Sequence, residues 1–322
     1  MYNQKLLTSS HAPYWHNGSS ITAKSYNIML AALPAVVMGI YQYGTPALAV
    51  LAFSVSSAII WEFLINVAMK RPTTIGDGNA AVIGLLFGML LPATAPWWAV
   101  MLGTFVAIIV GKQIYGGLGC NPLNPSLVSI AILMLSWKSM FNFDAALVNY
   151  DLGFQMLYPL GAVKHFGASA AQKYSLVGLL MGQQSGAVGA TFALGLIIGG
   201  LYLILRGHIR WEISVSFLVG IFVTALLFNI ADPEKYAGPF FHLLTGYTLI
   251  GAFFLLPEDS SSPVNFIPML AYGLMAGVLT ILIRNLGFFP DGVVFAFLML
   301  NIANPLLDKI RPKALGKGIE HA

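Results

Sequence analysis

Charge is scarce in this sequence. Asp, Glu, Lys and Arg make up 9% of its 322 residues, against roughly a quarter in soluble domains. With 57% hydrophobic residues and a mean hydropathy of +0.78, that shortage excludes a soluble globular protein and puts the chain in a bilayer. Cysteine is nearly absent. Cys120 alone excludes a disulfide framework, an iron–sulfur cluster held by this chain alone and a C-x-x-C-H haem attachment. His242 is the only histidine close to an apolar span, so a b-type haem with two histidine ligands lacks its second one. No metal site is read from the sequence. Basic runs interleaved with aromatics are missing as well, so the net charge of +4 reads as loop charge that orients the chain, and nucleic acid is excluded as a partner. Room for a soluble catalytic domain is lacking too, because ten spans of about 20 residues take roughly 200 residues.

What remains is a series of apolar windows near 26–44, 46–69, 78–92, 95–115, 124–137, 175–205, 212–231, 239–257, 264–285 and 290–307. These predict an all-α polytopic membrane protein of about ten transmembrane helices. The polar stretch before Lys24 lacks a signal-peptide pattern, so the first apolar run is expected to stay as a helix. With the N-terminus cytoplasmic, eleven of the sixteen Lys and Arg residues fall inside and five (Lys138, Lys164, Lys173, Lys235 and Arg284) outside. That bias predicts N-in, C-in. The expected organisation is a cytoplasmic segment 1–25, a first membrane half 26–137, an outer-face loop 138–174 holding Asp144, Asp151, Lys164 and His165, a second half 175–308 and a cytoplasmic tail 309–322.

Two apolar runs are too short to cross comfortably. One follows Asp77-Gly78-Asn79 and ends at Pro92; the other follows Thr245-Gly246 and ends at Pro257. Each precedes a longer apolar stretch, a basic residue (Lys112, Arg284), a Gly/Pro-rich break and a final short helix. Five segments on either side of the long loop, an odd number per half, predict two inverted repeats with broken helices.

Irregular backbone at membrane depth is tolerated only when buried in protein or lining a cavity. Asp77, Glu258, Asp259 and Asp291 sit beside such breaks and are candidates for an ion pathway, with capping of the short helix as the alternative for Asp77 and Asn79. Asn121-Pro122-Leu123-Asn124-Pro125, after three glycines, offers two amides and free N–H groups at a helix start, which suits a polar ring system or a phosphate. Glu62, within Trp61-Glu62-Phe63-Leu64, reads as structural.

Several strings resemble the RnfD membrane subunit of the Rnf ferredoxin:NAD oxidoreductase and, more distantly, the NqrB membrane subunit of the sodium-pumping NADH:quinone reductase. They are Ser9-Ser10-His11-Ala12-Pro13, Asp77-Gly78, Leu91-Pro92, Trp97-Trp98, Gly111-Lys112-Gln113 through Pro125, Phe241-His242-Leu243-Leu244, Gly251-Ala252-Phe253-Phe254, Ser261-Ser262-Pro263-Val264 and Pro290-Asp291-Gly292-Val293. The resemblance implies a ten-helix inverted-repeat fold related to urea channels. It also implies a place in a multisubunit complex of a prokaryotic cytoplasmic membrane, passing electrons through flavins and moving Na⁺ or H⁺. Lys112, Asn121 and Asn124 become candidates to hold a non-covalent flavin, riboflavin or FMN. The family's Asp-x-x-Ser-Gly-Ala-Thr-Pro-Leu motif, whose threonine carries FMN, is not kept: the matching stretch is Gln155–Lys164, with Tyr158 where threonine is expected. Thr191, in Ser185–Thr191, lacks the motif's preceding aspartate. Covalent FMN is therefore not expected here.

The leading expectation is a membrane subunit of an ion-translocating electron-transfer complex, not an enzyme by itself. Its partners would be other Rnf/Nqr-type subunits and the lipid bilayer. Two rivals differ on partners and cofactors: a passive channel or transporter for a small neutral solute, and a structural anchor docking an outer-face carrier such as a multihaem cytochrome.

Overall fold

A computed structural model describes residues 20–147, 150, 153–154 and 156–310. The string Ser9-Ser10-His11-Ala12-Pro13, Asp151, Gln155 and the tail from Arg311 lie outside the described residues. Every regular element among the described residues is helical. Helix α1 (Ile21–Tyr43) starts at Ser20, whose hydroxyl accepts the Ala23 N–H at 3.0 Å. It turns at Gly44, φ 69°, into α2 (Thr45–Ala68), which has Pro46 in its first turn. Helix α3 (Asn79–Met89) and α4 (Trp97–Phe105) follow, α4 continuing as a wide π-turn over Val106–Val110, and α5 (Pro125–Ser136) closes the first half. The long connection carries α6 (Phe143–Ala146), α7 (Pro159–Phe166) and α8 (Ala168–Ala171). The second half holds α9 (Leu176–Leu180), α10 (Ala193–Leu205), α11 (Trp211–Ala231), α12 (Pro239–Leu244), α13 (Thr248–Ile250) with a π-turn over Gly251–Leu255, α14 (Phe266–Leu286) and α15 (Val293–Leu307).

Among the described residues four helices, α1, α2, α11 and α14, are long and apolar enough to cross a membrane, and shorter apolar helices accompany them. The chain is a polytopic helical membrane protein. Helix α11 is apolar all round, as a bilayer-embedded helix should be: Ile213, Phe217, Ile221 and Ala225 are buried, while Val215, Val219, Val223, Leu227 and Ile230 face outward. At 11 residues and 1.5 Å per residue, α3 reaches only about 16 Å, roughly half a hydrocarbon core. The apolar window 175–205 is not one helix, because α9 stops at Leu180 and α10 begins only at Ala193. The intervening segment survives inside the protein because its backbone finds partners. Val188 N donates to Leu91 O at 3.0 Å and Gly189 N to Met89 O at 2.9 Å, while Gly182 O accepts Gln42 Nε2 at 2.7 Å.

Where helices meet, small residues let backbones touch. A Cβ at Gly277 of α14 would stand 2.5 Å from Phe217 O and 2.6 Å from Ile221 N of α11. Buried hydroxyls tie the first half together: Ser57 Oγ lies 2.9 Å from Thr104 Oγ1, and Ser129 Oγ donates to Gly103 O at 2.6 Å. The helices expose two ends. At one, Lys164 of α7 donates to Gly287 O and Phe289 O in the α14–α15 turn, at 2.6 and 2.8 Å. At the other, Lys24 of α1 pairs with Asp259.

Gly277→Ala should separate α11 from α14 and cost about 1–3 kcal/mol, the usual range for overpacking. Gly76→Ala, where a Cβ meets nothing within 4 Å, should be nearly neutral. Thermal unfolding of both variants in detergent checks this.

Candidate functional site

At the Lys24 end, the start of α3, the α4–α5 turn and the turn after the second π-turn converge on a cavity of about 410 Å³. Its lining is mostly apolar, with Ile28, Val82, Leu86, Phe253 and Phe254, and its polar part carries Ser25, Asn79, Asn121, Asn124, Glu258 and Ser260. Size and lining are those of a small-molecule site, mostly apolar with a few polar groups.

The polar wall is built by the breaks. Asn124 caps α5, its Oδ1 accepting the N–H groups of Ser126 and Leu127 at 3.0 and 3.2 Å, and its Nδ2 donates to Leu255 O, the carbonyl at the end of the π-turn, at 3.0 Å. Its own N–H goes to Asn301 Oδ1 of α15 at 3.2 Å, and Asn301 Nδ2 reaches Tyr272 Oη at 2.7 Å and Ser261 O at 3.1 Å. Glu258 is half-buried. Its Oε1 accepts Asn121 Nδ2 at 2.8 Å, and its Oε2 accepts Ser261 Oγ at 2.8 Å. Ser260 Oγ lies 2.8 Å from Asn121 Oδ1 and 3.0 Å from Glu258 Oε1, so its one hydrogen is shared between them. Most of the amide and carboxylate capacity of Asn121, Asn124 and Glu258 is thus used to lock the wall. The groups left for a ligand are others: the side chains of Asn79 and Ser25 line the cavity and make no hydrogen bond among the described residues. Sequence reading takes Asn79 for a cap and passes over Ser25, a lone serine among helical residues whose pattern carries no signal.

The sequence candidates do not all meet. Asn121, Asn124, Glu258 and Asp259 come together at this cavity, with Asp259 exposed and paired to Lys24. Asp77 sits one turn away, where its Oδ1 accepts the Asn79 N–H at 2.8 Å, an arrangement that caps α3. Lys112 is elsewhere. It is buried beside α2, donating to Glu62 Oε1 at 2.8 Å, and Thr74 Oγ1 donates to the same oxygen at 2.6 Å. Glu62 Oε2 is buried without a partner. Asp291 lies at the opposite end of the molecule. Its Oδ1 accepts Arg284 Nη2 at 2.9 Å and its Oδ2 accepts the Tyr247 N–H at 2.6 Å, while Arg284 Nη1 also donates to His242 O at 2.9 Å. Thr191 is buried, its hydroxyl donating to Gln42 Oε1 at 3.2 Å. Tyr158 is buried as well, opening α7, with its N–H on Asp144 Oδ1 at 2.5 Å and its ring against Phe143. A second cavity, about 520 Å³, lies on that side of α7 between Asp144, Tyr158, Lys164 and Phe288. Among the described residues no group of three or more His, Cys, Asp or Glu side chains is placed to hold a metal ion.

The family profile described as the NQR2, RnfD, RnfE family matches residues 8–316. Among curated proteins, the chain is 34% identical to the D subunit of the ion-translocating oxidoreductase complex of Cronobacter sakazakii, the match covering 95% of this chain and 97% of that one. It is also 34% identical to the D subunit of the Na(+)-translocating ferredoxin:NAD(+) oxidoreductase complex of Acetobacterium woodii, over 95% and 94%. With the D subunit of the proton-translocating ferredoxin:NAD(+) oxidoreductase complex of Clostridium ljungdahlii it shares 32% identity, over 95% of each. A profile match across nearly the whole chain, joined to relatives above 30% identity at almost full coverage, makes this protein a member of the NQR2, RnfD, RnfE family.

Proposed function

We propose that the chain is the integral membrane subunit of an ion-translocating electron-transfer complex of the Rnf/Nqr type, working with other membrane and peripheral subunits in a prokaryotic cytoplasmic membrane. The observation that carries this reading is end-to-end similarity to D subunits named for such complexes, one for Na⁺ and one for H⁺. In this reading the two halves are inverted repeats of five segments. The half-length α3 and the α13 π-turn stretch are the broken helices, each closed by a Leu-Leu-Pro string, 90–92 and 255–257. The Lys24 end faces the cytoplasm and α6–α8 face outward.

The 410 Å³ cavity suits a non-covalent flavin. Its apolar wall matches the faces of a flat ring, and Asn79 and Ser25 offer unsatisfied donors and acceptors to a polar ring edge. Asn121 and Asn124 then act as the frame that holds the wall, and Lys112, away from the cavity, ties the chain after α4 to Glu62 of α2. A bound flavin would supply one- and two-electron transfer at this end. The acids are divided in their work: Glu258 and Asp259 remain at the cavity, where an entering cation would meet them, while Asp77 caps and Asp291 balances Arg284. A solute channel is disfavoured by the packing beyond the cavity, where Met89, Leu90 and Leu91 are wholly buried and Tyr247 Oη donates to Leu90 O at 2.9 Å. The 520 Å³ cavity beside Tyr158 is where an outer carrier such as a multihaem cytochrome would dock.

Three measurements test this. Purified in mild detergent, the chain should bring other redox subunits with it, and isolation as a lone, flavin-free protein would refute the reading. Flavin fluorescence should vanish from the band in SDS, and Thr191→Ala should change nothing; without SDS, Asn79→Leu should lower bound flavin about tenfold, the effect of one lost buried polar contact. A cysteine placed at Ser169, in the exposed loop, should react with an impermeant maleimide added outside whole cells; reaction from the cytoplasmic side only would reverse the orientation.

A further inference from the structure

Adjoining the Tyr158 cavity, with which it shares Lys164, His165 and Pro290, lies a chamber of about 240 Å³ walled by α7, α12, the end of α14 and the turn before α12. Its chemistry is one-sided. Lys164, His165, Lys235, His242, Arg284 and Asn285 line it, and among the described residues no carboxylate does. Arg284 is balanced by Asp291 from outside the lining. Lys164 meets the carbonyl oxygens of Gly287 and Phe289, which carry no net charge. Lys235 stands over the Tyr236 ring at 5.2 Å. The acids nearest in sequence, Asp232 and Glu234, are not part of the lining, and Asp232 is engaged with the Lys235 backbone N–H.

His242 supplies the second, independent observation. Its side chain is 2% exposed, and both ring nitrogens are buried without a hydrogen-bond partner among the described residues. A neutral imidazole has one donor and one acceptor, and leaving them unmet in an apolar setting costs about 1–3 kcal/mol per group. Asn285 Nδ2, another lining group, is a buried donor with no partner. Two orphaned groups and two cations without a carboxylate, all facing one small space, are what an anion of several acceptor oxygens would satisfy at once. Burial pushes the Lys164 ammonium below its ordinary value, a penalty that a neighbouring anion removes.

We propose that this chamber binds an anionic phosphate group, held by Lys164, Lys235 and the donors of His242 and Asn285. The same chemistry is offered by a phospholipid headgroup and by free phosphate. Exposed Phe166 and Leu286 neighbour the lining residues His165 and Asn285 along the chain, and exposed apolar and aromatic side chains beside basic ones are what the headgroup level of a bilayer accepts.

The test uses the purified complex, thermal unfolding and ³¹P NMR. One arm titrates inorganic phosphate against chloride at equal ionic strength; the other compares phosphatidylglycerol with phosphatidylcholine in nanodiscs. Binding of phosphate alone identifies a free anion, and a preference for phosphatidylglycerol identifies a headgroup; either upholds the site. Lys164→Gln and Lys235→Gln should each weaken binding about tenfold, the size of one charge-assisted hydrogen bond. Should Lys164→Gln disturb the loop, Lys235→Gln, at an exposed position, still reports. Lys173→Gln, on the same loop but outside the chamber, should leave binding intact. No binding in either arm, wild-type binding by Lys235→Gln, or an equal loss in Lys173→Gln would overturn the proposal.

Discussion

A peptide group that leaves a helix inside an apolar interior has no water to turn to, so it must find another protein partner. This protein breaks its helices repeatedly, and the rest of the structure follows from how those breaks are satisfied. The 181–192 segment hydrogen-bonds to the frayed end of α3 through Val188 and Gly189. Gln184 spans from Thr191 O to Leu244 O at 3.0 Å each, closing the same segment against the end of α12. Asn124 does three jobs at once, capping α5, holding the π-turn carbonyl of Leu255 and receiving α15 through Asn301. Breaks in one half are thus closed in large part by groups from the other, and the cavity at the Lys24 end is the space left among those closures.

Buried charge follows the same logic. Taking an ion out of water costs several kcal/mol even after relaxation, so Lys112 and Arg284 each require an acid, and each finds one on a neighbouring helix or turn. Removing one partner of such a pair leaves the other uncompensated, which is why these residues read as fixed parts of the scaffold. Glu62 is the less complete case. It has two donors on Oε1 and none on Oε2, and so keeps an unused acceptor in the interior.

Much of this is legible in the sequence, because apolar length and Gly/Pro punctuation act locally. The windows locate α1, α2, α11 and α14, and the Leu-Leu-Pro strings mark the two short runs. The Asn-Pro-Leu-Asn-Pro string announces a polar helix start beside a cavity. What escapes are pairings over long sequence separations. Nothing local links Glu62 to Lys112, and an acid in an apolar helix reads the same whether it snorkels or meets a lysine 50 residues away. The gap between α9 and α10 is hidden for the opposite reason: Gly182 through Thr191 carries no charge and no proline to end a helix, and its unwinding depends on carbonyls of Met89 and Leu91 that only the folded chain presents. Asn79 is visible but easily misread, since its backbone is what Asp77 caps while its side chain turns to the cavity.

The arrangement also bears on what can cross this protein. Cavities lie at both ends, around Asn79 and Glu258 at one and around Asp144 and Tyr158 at the other, while Met89–Leu91, Tyr247 and the Ala187–Val188 backbone fill the space beyond the first. A solute would have to displace that packing, and with it the hydrogen bonds that make the broken helices tolerable. An electron needs no lumen, because it can pass between carriers through close-packed atoms. The π-turns over Val106–Val110 and Gly251–Leu255, beside the breaks, are of a kind that recurs at functional sites. The same constraint that keeps the broken backbone groups partnered therefore suits a subunit of an ion-translocating electron-transfer complex better than an open solute channel.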